Sequence, residues 1–246
     1  MFLRFQPLLQ SFIFLLGLEL IAFQPDWVIF TVIFLLTTSA YAGRKIGGRW
    51  FFSVLPVFFT ISSVALLYLV TLGYEQQIFI VLAVGMYYLA LLGAHRLGLY
   101  SEDKTARGMN MSAMAATIFF AYAAAYGLYL NFLVPLYYLM LVYCLVTLLI
   151  SCQYFFIIKQ DDKKKVWMYS FLLALVMTEI VWTMNFWPFG YLTTGVIALI
   201  LYYVLWDLTQ SYFLNLLSQK RVMANMIFFS VIIILVLLST KWLPII

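Results

Sequence analysis

The sequence predicts an all-α protein, a polytopic transmembrane helical bundle of about nine spans. Hydrophobic residues make up 66% of the 246 residues and charged residues only 9%, with a mean hydropathy of +1.05. Soluble domains are about 45–50% apolar and about 25% charged, so this chain has too few polar groups to cover its apolar surface in water. Since no connector is long enough to fold alone, residues 1–246 are expected to form a single transmembrane domain without a soluble domain.

Nine apolar segments justify the span count, because a helix crosses the hydrocarbon core of a bilayer in about 20 residues. The first segment contains Glu19 and lacks a small-residue cleavage site, so it is expected to be a retained span and not a signal peptide. The fifth, "MSAMAATIFFAYAAAYG", is rich in small residues, which allow close helix packing. In chain order the predicted spans are 5–23, 27–43, 50–72, 77–99, 109–130, 132–158, 166–187, 190–217 and 222–243.

The basic residues predict the orientation of these spans. With the N-terminus in the cytoplasm, 13 of the 14 lysines and arginines fall on the inner side, and only Lys241 lies outside. The same clusters are topology signals in short connectors, so nucleic acid is not an expected partner. We therefore expect a multi-pass protein of the plasma (cytoplasmic) membrane with its C-terminus outside. Its expected partners are the lipid bilayer and a membrane protein or a second copy of the chain.

Few residues of this chain are suited to holding a cofactor. Cys144 and Cys152 fall on one predicted helix, about 12 Å apart along its axis, which is too far for a disulfide. The single histidine, His95, cannot supply bis-histidine haem ligation, and no Cys-x-x-Cys motif is present. We therefore expect neither a cofactor nor a metal site.

Three carboxylates, Glu19, Glu179 and Asp207, fall inside predicted spans. An ionised residue at a helix centre costs about 2.5–3.5 kcal/mol, so each acid needs a partner or a proton. Glu19 and Glu179 each lie roughly 20 Å from the inner end of their helix, so the two acids could touch and share a proton. Glu179 is expected to face the bundle interior, largely protonated, in a proton or substrate site formed with the polar side chains of Thr183, Asn185 and Thr193.

A second polar cluster is expected in the inner leaflet, around Asp207. Arg96 and His95 on the fourth span lie at a similar depth, as does Gln153 on the sixth. Asp207 is expected to neutralise Arg96 or to extend towards the inner headgroups; an inner gate or a lipid headgroup site is the functional alternative.

Three functions remain open at this point. The first is a small-solute transporter or permease, proton-coupled through Glu179 and Glu19. The second is a non-catalytic membrane subunit, or an assembly or scaffold protein, whose polar groups only hold helices together. The third and weakest is an enzyme acting on a lipid or lipid-linked substrate at the inner face, near Asp207, Arg96 and His95. No residue is assigned a catalytic role, because no motif of a membrane hydrolase or transferase is present.

Overall fold

A computed structural model describes residues 5–100, 103–132, 134–158, 162–214 and 217–240. Within those ranges the chain forms nine α-helices and two short 3-10 helices, and contains no β-strand. The helices are α1 Gln6–Phe23, α2 Val28–Gly47, α3 Val54–Leu69, α4 Gly73–Leu99, α5 Lys104–Phe132, α6 Leu136–Ile158, α7 Lys163–Met184, α8 Tyr191–Phe213 and α9 Gln219–Ser239. The 3-10 helices, Pro25–Trp27 and Trp50–Ser53, precede α2 and α3.

The helices confirm the predicted all-α polytopic class. One α-helix of the described chain coincides with each predicted span. Eight helical segments of the described chain are long and apolar enough to cross a membrane, with α3 counted together with the 3-10 helix before it as Trp50–Leu69. The helix α2, which carries Arg44 and Lys45 in its last turn, is not among them. The orientation stays a prediction, and three residues of its charge pattern, Arg4, Lys159 and Lys241, lie outside the described ranges.

The helices fall into two compact units, Met1–Ala121 and Tyr122–Ile246, which divide within α5. In the first unit α1 packs against α2 and α4, and α3 also packs against α2 and α4. In the second unit α6 packs along α7, and α8 contacts both α7 and α9. The single transmembrane domain expected from the sequence stays a prediction.

The core of the first unit combines aromatic stacking with a chain of hydroxyl groups. Phe14 of α1 stacks on Tyr87 of α4, with ring centroids 4.3 Å apart. The Tyr87 hydroxyl lies 2.9 Å from Ser39 Oγ of α2, which lies 2.8 Å from Thr60 Oγ1 of α3. All of these residues are buried, so the hydroxyls satisfy one another across three helices where water is absent.

The second unit repeats this use of tyrosine. Tyr122 and Tyr143 stack with centroids 4.0 Å apart, and the Tyr122 hydroxyl lies 2.6 Å from Thr147 Oγ1. The small residues of α5 allow a close approach of α8: a Cβ added at Gly195 would lie 2.9 Å from the Cβ of Ala123. Residues with small side chains thus bring these two helices into contact at backbone distance.

Candidate functional site

Glu179 lies on the exposed side of α7, so the expectation that it faces the bundle interior is wrong. The buried side of α7 includes Met177 and Val181, both 0% exposed. Glu179 is two residues from each of them, and two residues turn an α-helix by about 200°. The carboxylate therefore points away from the packed side of its helix, along the same face as the exposed Leu175 and Trp182.

An open groove of about 390 Å³ runs beside the Glu179 carboxylate. Its wall on α7 is formed by Glu179 and Trp182, which are three residues apart and thus lie on one helix face. The wall on α6 is formed by the first turns of that helix, with Leu136, Tyr137 and Met140. The carboxylate has no hydrogen-bond or ion-pair partner within the part of the chain that the structure describes, so it is the one charged group in an otherwise apolar and aromatic groove.

The polar residues predicted to surround Glu179 do not bond to it in the described part of the chain. Thr183 is exposed, and its hydroxyl donates to the carbonyl of Ile180 on its own helix, at 2.7 Å. Asn185 is the C-cap of α7, where its backbone N–H donates to the Val181 carbonyl. Thr193 lies half-buried in the first turn of α8. No hydrogen bond joins these side chains to Glu179 among the described residues.

Glu19 has a partner on a neighbouring helix. Its Oε2 accepts a hydrogen bond of 3.0 Å from Nε2 of Gln77, which joins α1 to α4 near the end of α1. An amide donor satisfies a carboxyl oxygen whether or not the acid is ionised. Contact between Glu19 and Glu179 would join the two units, and the shared proton stays a prediction.

Asp207 is also satisfied across a helix interface. Its Oδ2 accepts a hydrogen bond of 2.6 Å from Nδ2 of Asn225, which joins α8 to α9. The sequence analysis missed Asn225, although an amide within the apolar span of α9 was a signal that could have identified it. Gln153 is buried on α6.

Arg96 has its partner within its own unit. Its Nη2 lies 2.7 Å from Oδ2 of Asp103, while the other oxygen of Asp103 accepts backbone N–H groups of Thr105 (2.9 Å) and Ala106 (3.2 Å) in the first turn of α5. Asp103 thus caps α5 and ties it to the end of α4. The Ala106 N–H and then the Arg96 guanidinium hold the pKa of Asp103 below its usual 3.8.

Arg96 and His95 are both half-buried in the last turns of α4. The sequence analysis did not single out Asp103 and so missed its capping role. The predicted pairing of Asp207 with Arg96 or His95 would join the two units and stays a prediction.

Comparison with known protein families identifies the family of this chain. A family described as "Protein of unknown function (DUF5656)" matches residues 8–239. The chain belongs to this family. No curated protein and no solved structure matches the chain. Because the description of DUF5656 assigns no activity, the function of this chain has to be argued from its own side chains.

In this DUF5656 chain several polar side chains bond to side chains of neighbouring helices. Glu19 and Asp207 accept from amides, and the buried hydroxyls of Ser39, Thr60 and Tyr87 bond across helices. Such contacts hold helices together in the absence of water. Glu179 differs from these groups, because its carboxylate faces outward and has no partner among the described residues.

Proposed function

We propose that this DUF5656 chain is a non-catalytic membrane protein, a subunit or scaffold whose intramembrane polar groups join its own helices. The observation that carries the proposal is the pairing of two membrane acids with neutral amides, Glu19 with Gln77 and Asp207 with Asn225. A proton-coupled carrier needs a carboxyl group that exchanges protons at an inward-facing site. A carboxyl group fixed by an amide on the next helix is better suited to joining helices.

Transport has less support than it had from the sequence. It rested on Glu179 and Glu19 as interior acids, but Glu179 is exposed on α7 and Glu19 is bound to Gln77. The third alternative, a lipid-modifying enzyme at the inner face, was placed near Asp207, Arg96 and His95; it loses support because Arg96 pairs with Asp103 and Asp207 accepts from Asn225. The distribution of lysine and arginine supports the cytoplasmic N-terminus, and the plasma membrane is a further part of the proposal.

Proteoliposomes test this proposal against transport. The purified chain is reconstituted with a pH-sensitive dye and an imposed pH gradient, with mixtures of sugars, amino acids and organic ions supplied in turn. We expect the gradient to decay as in empty vesicles for wild type, Glu19→Gln and Glu179→Gln alike. A solute-dependent proton flux that Glu179→Gln abolishes, in a variant that still folds, would establish a carrier instead.

A stability measurement tests the structural half of the proposal. Asn225→Leu removes the donor to the half-buried Asp207 and should lower the free energy of unfolding by about 0.5–1.5 kcal/mol, the usual net contribution of a hydrogen bond. Asp207→Asn keeps the size and can still accept a hydrogen bond, so it should be tolerated. Equal stability of Asn225→Leu and wild type would remove the support for a helix-joining role.

A further inference from the structure

The groove beside Glu179 lies near the end of α7 that is remote from its lysines. Lys165 precedes Glu179 by 14 residues, or about 21 Å of helix, whereas Glu179 is only five residues from Met184, the last residue of α7. Tyr137 is the second residue of α6 and lines the same groove. The groove is therefore at the depth where the apolar core of a bilayer gives way to headgroups.

The lining of the groove suits a cation. Trp182 and Tyr137 present aromatic rings, whose faces attract ammonium groups, and Glu179 supplies the opposite charge. Within the second unit the described lysines lie far from this level, at Lys163–Lys165 and Lys220 next to the opposite ends of α7 and α8. Among the described residues of this unit Glu179 therefore has no cation at its own level, while Lys241 lies outside the described residues. An ammonium group from the bilayer would supply the opposite charge.

The surroundings of the groove are those of a lipid-facing surface. Below it, α6 and α7 expose large apolar side chains, including Leu141, Phe171 and Leu172, along which acyl chains can lie. A second open groove, of about 490 Å³ beside α1, is lined by Phe5, Gln6, Leu8, Leu9 and Phe12, and these described lining residues carry no charge. The charge in the α6–α7 groove therefore distinguishes it from an ordinary acyl-chain contact.

We propose that this groove binds the ammonium headgroup of a phosphatidylethanolamine-type membrane lipid. The ammonium group lies against Glu179 and the rings of Trp182 and Tyr137, the phosphate points towards water, and the acyl chains follow the exposed side of α6 and α7. The inference uses only the geometry of the second unit and does not depend on the proposed non-catalytic role.

Native mass spectrometry tests the headgroup preference. The chain is purified from nanodiscs that contain equal amounts of phosphatidylethanolamine and phosphatidylglycerol, and the lipid retained on the protein is counted. Wild type should retain about tenfold more phosphatidylethanolamine than phosphatidylglycerol, and Glu179→Gln should abolish this preference, because charge-assisted hydrogen bonds are the strong ones. Trp182→Leu should lower retention about threefold, as expected for an exposed cation–π contact.

Matched variants serve as controls for the effect of Glu179→Gln. Glu75→Gln and Trp167→Leu change an exposed acid and an exposed tryptophan that do not line the groove and should leave retention unchanged. Glu179→Asp keeps the charge and should preserve the preference, which covers the case in which Glu179→Gln does not fold.

Three outcomes would overturn the proposal. They are equal retention of both lipids by wild type, displacement of the bound lipid by low millimolar free ethanolamine, and a lysine of another protein cross-linked at Glu179. The second would indicate a site for free amines, and the third a site for a partner protein.

Discussion

The hydroxyl chain between Tyr87, Ser39 and Thr60 has a fixed direction, and this direction predicts unequal effects of substitution. Thr60 donates its hydroxyl proton to the Pro56 carbonyl, at 2.9 Å. Ser39 must then donate to Thr60 Oγ1, and Tyr87 must donate to Ser39 Oγ. Ser39 is thus the central link, and Tyr87 is a terminal donor that accepts no hydrogen bond from the described residues.

Removal of the central link should cost more than removal of the end. Tyr87→Phe deletes the terminal donor and leaves Ser39 bonded to Thr60, so we expect a loss of about 0.6–1 kcal/mol in the free energy of unfolding. Ser39→Ala leaves the hydroxyl of Tyr87, a residue only 1% exposed, without a partner, and should cost about 1–3 kcal/mol. Because Ser39→Ala already orphans the hydroxyl that Tyr87→Phe removes, the double variant should be no less stable than Ser39→Ala alone.

Denaturant unfolding in mild detergent micelles measures these differences, with the near-ultraviolet signal of the aromatic core as the probe. Tyr88→Phe is the matched control, because Tyr88 is the next residue of α4 and is only half-buried. The reasoning is refuted if Tyr87→Phe costs as much as Ser39→Ala, or if the two substitutions add in the double variant.

The remaining predictions concern the cap of α5, a close helix contact and the topology. Asp103→Asn should lower the melting temperature at neutral pH; since the folded pKa of Asp103 is depressed, the difference should shrink as the pH falls below its usual 3.8, and a constant difference would contradict the linkage. Gly43→Ala should cost about 1–3 kcal/mol, because the added Cβ would lie 2.6 Å from the Cα of Ser53, whereas Gly85→Ala meets open space and should be tolerated in the same unfolding assay. Reporter proteins fused after residues 46, 104, 162 and 220 should all be cytoplasmic. A single reporter on the outer side would contradict the predicted number of spans.

The positions of the helices could be predicted from the sequence, because a bilayer demands long apolar segments and the connectors are short and polar. The prediction was weakest at the edges. The predicted fourth span began at residue 77, but α4 begins at Gly73 and carries Glu75 in its first turn, where an acid favours a helix start. Polar residues near the end of a membrane-spanning helix do not argue against helical structure there, because the ends of such helices lie among the lipid headgroups.

The side of the helix on which Glu179 lies could not be predicted in the same way. A soluble helix shows its buried face as an apolar stripe, but α7 is apolar on almost every side, since lipid and core both favour apolar residues. The inference that an acid must face the interior assumed a position deep in the membrane. The structure places Glu179 only five residues before the end of α7, where a carboxyl group can reach the interface.

The partners of Glu19 and Asp207 required knowledge of which helices are neighbours. Gln77 and Asn225 are distant in sequence from the acids that they bind, at separations of 58 and 18 residues. The demand for a partner was predictable from the cost of a lone acid in a membrane, whereas the identity of each partner depends on helix rotation and register.

Lipid exposure along α7 is the most direct test of the central claim, that the intramembrane acids do not form an interior proton site. Spin labels on single cysteines in a cysteine-free background report collision with dissolved oxygen, which is concentrated in the acyl-chain region. The account predicts that a spin label at position 179 collides with oxygen as often as labels at the exposed positions of Leu175 and Trp182. If oxygen access at position 179 were as low as at the buried positions of Met177 and Val181, Glu179 would face the interior and the account would be contradicted.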